Sequence, residues 1–276
     1  VEDSYSHCEA LVREADKDRY LAALFAPLPA RRHLYALYAF AGEISRVATA
    51  VREPMAGELR LQWWRDALTG AGEARANPVA AALLDTIAQC GLSIERLTAL
   101  IDAHASDLYG DPPASVADLD AYATNASGTL FALGAKILGV LDAASAAERA
   151  GVAYGVTQML RRFPIDIARG CIFVPRDLAA RHGIHQGELE RRQATPGLQA
   201  ALAELRAHAR EAFAGFRPAV RPLPAAAAPA FLVAALVPQV LDRLDAAAAN
   251  PFEAIEVPQW RRQWTLWRAS RRWPAV

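Results

Sequence analysis

His182 and His185 stand three residues apart, close enough on a helix to bring two imidazoles together. No third ligand lies near them in sequence, so surface histidines are a plainer reading than a metal site. Ser127 sits between Ala126 and Gly128 but outside any strand–turn–helix elbow that would expose a nucleophile. No G-x-G-x-x-G, P-loop, H-E-x-x-H or G-x-S-x-G motif occurs. Cys8, Cys90 and Cys171 are far apart and odd in number, which indicates neither a disulfide framework nor a zinc ribbon and suits a reducing compartment. Near the C-terminus Trp260, Trp264 and Trp267 recur at helical spacing, with Arg261, Arg262, Arg268, Arg271 and Arg272 around them and no acid from Val257 onward. Two readings stay open there. Either the tryptophans pack onto the body with solvated arginines, or the helix is a membrane or partner surface.

The elements that must position these groups are helices. Apolar residues at Leu34, Leu37, Tyr38, Ala41, Ile44, Ala48 and Val51 follow the 3.6-residue period of a helix with one buried stripe. Further helices are expected over about 57–68, 79–90 and 93–109, with the breaker-rich Gly70–Pro78 between the first two. Ser115 and Asp118 form a capping-box pattern that opens a helix reaching about Leu138, stopped by Gly139. The next spans about 144–162 and is expected to end at Pro164. Pro175 opens a short segment to Gly183, and Thr195-Pro196 starts a helix to about Phe216. Arg217–Pro224 reads as a linker before helices near 226–248 and 258–270. The apolar run Ala225–Leu241 contains Pro229 and Pro238 and reads as a buried helix rather than a membrane span. Nothing reads as a strand and no repeat is visible, so the expectation is an all-α domain over residues 1–276 with a basic, Trp-rich helix at 258–276.

Composition agrees with that expectation. Of 276 residues 53% are apolar and 22% charged, and thirty basic residues balance thirty acidic ones. Such a chain is globular, and zero net charge argues against a nucleic-acid partner. Residues 1–20 are charged from Glu2 onward and hold no signal-peptide core.

Three segments resemble the squalene/phytoene synthase family. They are Tyr20–Phe40, with its Leu34-Tyr-Ala-Leu-Tyr-Ala-Phe40 run, continuing through Gly57–Asp66; Tyr122–Gly128; and Tyr154–Pro175, which ends in the Gly-x-x-x-x-Pro pattern. The resemblance covers about residues 5–190 in collinear order. It implies an all-α, isoprenoid-synthase-like helical bundle with a central cavity, in whose wall Tyr38, Tyr122 and Gly128 would stand. Active members condense two prenyl diphosphates head to head. Mg²⁺ neutralises the leaving diphosphate, and aspartates on two facing helices hold the metal.

This chain departs from that pattern. The first motif's acidic positions fall on Ser45, Arg46 and Thr49, with Glu43 offset from them, and the second motif's fall on Arg162, Ile165 and Asp166. Only Asp166 keeps its acid. A guanidinium about 4 Å from a divalent ion would oppose it by twice the roughly 4 kcal/mol of a unit-charge pair at an effective dielectric of 20. The chain is closer to the family's non-catalytic branch, the mitochondrial complex I assembly factor and its bacterial relatives. The shared features are Glu43-Ile-Ser-Arg-Val47, Leu59–Asp66, and Phe173-Val-Pro175 before Asp177-Leu178. That resemblance implies a lapsed enzyme with no resident metal, serving respiratory complex I assembly through protein partners. The place it implies is the bacterial cytoplasm or the mitochondrial matrix, with peripheral contact to the inner membrane.

The cavity then has two open readings. Arg46, Arg161, Arg162 and Arg169, with Gln158 beside them, would hold an anionic headgroup or isoprenoid-like lipid without a metal, or Arg46 pairs with Glu43 or Asp166 and plugs the site. The alternative for the whole chain is a working Mg²⁺-dependent prenyltransferase.

Overall fold

A computed structural model describes residues 2–51, 53–70 and 73–274. Val1, Arg52, Ala275, Val276 and the Ala71-Gly72 part of the breaker-rich stretch lie outside it. The described residues contain helices and no strand. The N-terminal half is built from α1 (Glu2–Ala15), α2 (Lys17–Ala23), α3 (Leu28–Ala50), α4 (Pro54–Leu68), α5 (Pro78–Cys90) and α6 (Ile94–Ala105). Local chemistry sets most of these boundaries. The Asp16 side chain caps α2 by accepting from the Arg19 amide at 3.0 Å. Asn77 accepts from the Val79 and Ala80 amides to start α5, and Gly91, at a φ of 61° that suits glycine, ends it.

The expected helix from Ser115 to Leu138 is α7 (Val116–Ala123), a π turn at Thr124–Gly128 and α8 (Thr129–Ile137) in one continuous run. Its capping box forms in both directions, between Ser115 and Asp118. Next comes α9 (Ala144–Ala168), which does not stop at Pro164. Proline there removes the bond to the Leu160 carbonyl and crowds that carbonyl with its ring. The buried Phe163, Pro164, Asp166 and Ile167 hold the next turn in place, so the second motif remains helical.

After α10 (Arg176–Arg181) and α11 (Gln186–Glu190), α12 (Pro196–Val220) likewise runs through Pro218 into the expected linker. Phe216 and Val220, four residues apart and both buried, carry its apolar stripe across the proline. The apolar run beyond it is broken into α13 (Ala228–Phe231), a 3₁₀ stretch at Leu232–Leu236 and α14 (Val237–Ala246), with Pro229 and Pro238 restarting the helices. It is long and apolar enough to cross a membrane by composition, yet most of it is buried inside the protein. α15 (Gln259–Arg272) closes the chain. Its three tryptophans do not pack onto the body: Trp260, Trp264 and Trp267 face solvent, and Leu266 and Ala269 take the buried positions.

Two apolar clusters make the core. One gathers α8, α9, α12 and the Ala227–Leu241 run around Phe131, Phe216 and Phe231. The other gathers α1, α3, α5 and α6 around Phe40, Leu61 and Leu97. Leu138 packs against both. The π turn before α8 and α9 cross so closely that a Cβ on Gly151 would lie 2.5 Å from the Gly128 Cα.

Candidate functional site: a polar cavity between the two clusters

α1, α2, α3, α6, α7, α9 and α15 surround a cavity of about 840 Å³. Ser45, Arg46 and Thr49 line it from the C-terminal half of α3. Gln158, Arg161, Arg162, Asp166 and Arg169 line it from α9 and its end, and Tyr38 and Tyr122 complete the expected set. Three expected residues stand elsewhere. Ile165 is 47% exposed, because the buried places on its turn are taken by Phe163, Pro164 and Asp166. Gly128 faces the α9 crossing, where its Cβ would meet the Ala147 carbonyl at 3.3 Å. Glu43 lies outside the cavity wall and accepts from the Arg46 guanidinium at 2.6 Å.

The groups at the first motif are turned onto their own helix. Ser45 Oγ donates to the Gly42 carbonyl at 3.2 Å and Thr49 Oγ1 to the Arg46 carbonyl at 3.0 Å. Opposite them Arg162 donates to Asp166 at 3.2 Å across one turn of α9. Burial pushes the Asp166 carboxyl above its usual range, with Arg162 and Arg169 working against the shift and Asp107 adding to it. Tyr122 donates to Asp107 at 2.9 Å, and His104 Nδ1 lies 2.7 Å from the same oxygen. Among the described residues Arg161 and Arg169 have no hydrogen-bonded or ion-paired side-chain partner.

The other part of the cavity has a polar lining that the motif pattern did not point to. Arg19 lies between two aromatic rings, 5.6 Å from the Tyr38 centroid and 5.1 Å from that of Tyr154, and pairs with Asp16 at 2.9 Å. Burial works against its charge, but Tyr154, Asp16 and Tyr38 hold its pKa above the ordinary arginine value. Burial pushes the Tyr38 phenol up to about 12. Asp18 accepts from Arg262 of α15 at 2.8 Å, and its other oxygen has no partner among the described residues. The sequence signal for these groups is the alternating Asp16-Lys17-Asp18-Arg19 at the break between α1 and α2. Asp107 and His104 left no comparable signal.

Mg²⁺ needs several hard oxygen ligands in near-octahedral array. Five carboxylates line the cavity, those of Glu14, Asp16, Asp18, Asp107 and Asp166. Four of them are engaged: Asp16 by Arg19, Asp18 by Arg262, Asp107 by Tyr122 and His104, and Asp166 by Arg162. No three His, Cys, Asp or Glu side chains among the described residues converge on a metal-sized point. The guanidinium groups of Arg46 and Arg162 line the same cavity, at two of the positions that the resemblance assigns to the motif's oxygens. This donor set does not fit a diphosphate–Mg²⁺ cluster.

An all-helical bundle around one deep cavity is the isoprenoid-synthase fold, and solved structures share it. A squalene synthase HpnC from Alicyclobacillus acidocaldarius matches 91% of this chain and 96% of its own, with a TM-score of 0.77 and 25% identity. A dehydrosqualene synthase solved with a ligand matches 98% and 96% of the two chains with a TM-score of 0.82. At 18% identity that likeness concerns the fold alone. The chain belongs to the squalene/phytoene synthase family, whose model matches residues 12–268. It is 30% identical over 236 residues to complex I assembly factor 6 of Rattus norvegicus, covering 84% of this chain and 71% of that protein. It is 25% identical over 205 residues to a 15-cis-phytoene synthase of Synechocystis, covering 68% and 60%.

Proposed function

We propose that this protein keeps the synthase fold without the synthase reaction, and serves respiratory complex I assembly as the relatives named for that role do. The observation that carries the reading is the cavity's charge. Ser45, Arg46 and Thr49 face Arg162 and Asp166 where a transferase needs carboxylates, and both free hydroxyls are spent on backbone carbonyls. The cavity, about 840 Å³, has the capacity for a lipid-sized molecule. Arg161 and Arg169, both without a side-chain partner among the described residues, would meet an anionic headgroup directly. Arg46 is held by Glu43 and so leans to the plugging role. The protein works at the cytoplasmic or matrix side, with complex I intermediates as partners.

The first test is incubation with labelled farnesyl or geranylgeranyl diphosphate and Mg²⁺. The expected result is no condensed product above background. Product at ordinary enzymatic rates would return the chain to the prenyltransferase reading, which the phytoene synthase relative favours. The second test deletes the gene and follows complex I on native gels. The expected result is loss of the mature complex with restoration by the wild-type chain.

A further inference from the structure

α15 has two opposed faces. Its inner face is fully committed: Leu266 and Ala269 are buried, Arg262 pairs with Asp18 at 2.8 Å, and Thr265 reaches Gln239 at 3.4 Å. Its outer face is a ridge of indoles. Trp260, Trp264 and Trp267 are 63%, 56% and 43% exposed, and the last two stack at 4.9 Å. Large aromatic side chains left in water on a docked helix are a cost that folding alone does not explain. The body cannot absorb them, because rotating α15 would withdraw Leu266 and Arg262.

The charge around the ridge has one sign. Arg261 lies over the Trp260 ring at 5.2 Å and Arg271 over that of Trp267 at 5.8 Å, and Arg268 is exposed beside them. No acid occurs from Val257 onward, although the whole chain is formally neutral. Tryptophan and arginine also suit a protein groove, but a ridge whose charge is all of one sign needs a partner of the opposite sign spread along its whole length. Tryptophan flanked by arginine matches instead the headgroup layer of a bilayer, where indoles sit at the interface and guanidinium groups meet lipid phosphates. The longest apolar run of the chain is already used in the core and does not supply the contact.

We infer that the Trp260–Trp264–Trp267 face of α15 docks this protein on an anionic bilayer surface, with Arg261, Arg268 and Arg271 on the lipid phosphates. The docking is independent of whether the cavity is catalytic. The test mixes the full chain with phosphatidylcholine vesicles, with and without phosphatidylglycerol, and measures co-flotation. The wild type is expected on the anionic vesicles, released progressively by salt. The triple variant Trp260→Gln, Trp264→Gln, Trp267→Gln is expected to partition roughly tenfold more weakly. Its circular dichroism and Tm should match the wild type, since all three indoles are exposed.

Failure of the wild type to float with anionic vesicles overturns the inference. So does equal flotation with neutral vesicles, or unchanged flotation of a folded triple variant. Bromine-labelled lipids give a readout that needs no variant: wild-type tryptophan fluorescence should be quenched on anionic vesicles, and unchanged fluorescence overturns the docking. Binding that appears only when native membranes keep their proteins also overturns it, and assigns the ridge to a protein groove.

Discussion

Arg162 stands half exposed over Asp166, whose side chain is 7% exposed. Removing the guanidinium leaves a buried carboxylate without its hydrogen-bonded cation. Arg162→Ala should therefore cost about 1 kcal/mol at neutral pH, at the low end for a lost buried partner because Arg162 is itself half in water. The loss should shrink as pH falls. Asp166 already has a raised pKa, so the folded state binds its proton more readily than the unfolded state, and stability falls as pH rises through that interval. Without Arg162 the interval widens upward. Urea unfolding of variant and wild type at neutral and acidic pH checks both the loss and its narrowing.

His208 gives a second residue test, in which a partner rather than burial raises the pKa. It pairs with Asp120 at 2.7 Å, tying α12 to α7, and this hydrogen bond raises its pKa despite burial, with Glu211 and Glu204 adding to the shift. A raised histidine contributes stability that is fully present below its unfolded pKa of about 6.5. That stability is lost as pH climbs through the folded value. Asp120→Asn should flatten this fall in Tm above pH ~6.5. At this scale the flanking matches of the resemblance pointed to Ser45, Arg46, Thr49, Arg162 and Asp166, and the structure brings these five residues to one cavity. It did not show Asp107 or His104, whose role depends on where the end of α6 meets Tyr122, a contact between residues far apart in sequence.

Two glycines in long helices make contrasting tests at the scale of the element. Gly151 of α9 faces backbone, and a Cβ there would lie 2.5 Å from the Gly128 Cα and 2.7 Å from its nitrogen. Backbone atoms of a packed helix cannot yield, so Gly151→Ala should cost about 1–3 kcal/mol by overpacking. Gly215 of α12 faces only the end of the exposed Arg149 side chain, which can swing away. Gly215→Ala should then gain up to about 1 kcal/mol from helix propensity. Chemical denaturation of the two variants reads the contrast directly. If both lose stability alike, the close crossing of α9 with the π turn at Gly128 is not what Gly151 serves. Helix identities were legible from period and caps, as in the apolar stripe that starts at Leu34 and at the Ser115 capping box. The errors fell at Pro164 and Pro218, where buried neighbours on the following turn outweigh one missing hydrogen bond.

Across the whole molecule the chain ends are fastened together. Asp18 of α2 and Arg262 of α15, 244 residues apart in sequence, pair at 2.8 Å with side chains only 9% and 18% exposed. Both line the cavity, so this contact also closes part of its wall. The pair is imperfectly satisfied: Asp18 Oδ1 and Arg262 Nε have no partner among the described residues, and burial pushes the Asp18 carboxyl above its usual range although Arg262 opposes this. Such a pair contributes little net stability, yet breaking it is costly because the remaining charge stays buried. Arg262→Met should cost about 3 kcal/mol by stranding the Asp18 carboxylate. Asp18→Asn should cost less, since Arg262 is nearer to water. The double variant should lose clearly less than the two single losses added together, because neither charge is then left alone. A guanidinium chloride double-mutant cycle measures that difference. Additive losses would mean that the two ends are held only by the apolar contacts of Leu266 and Ala269, and that the charges in the cavity wall do not couple the first helices to the last.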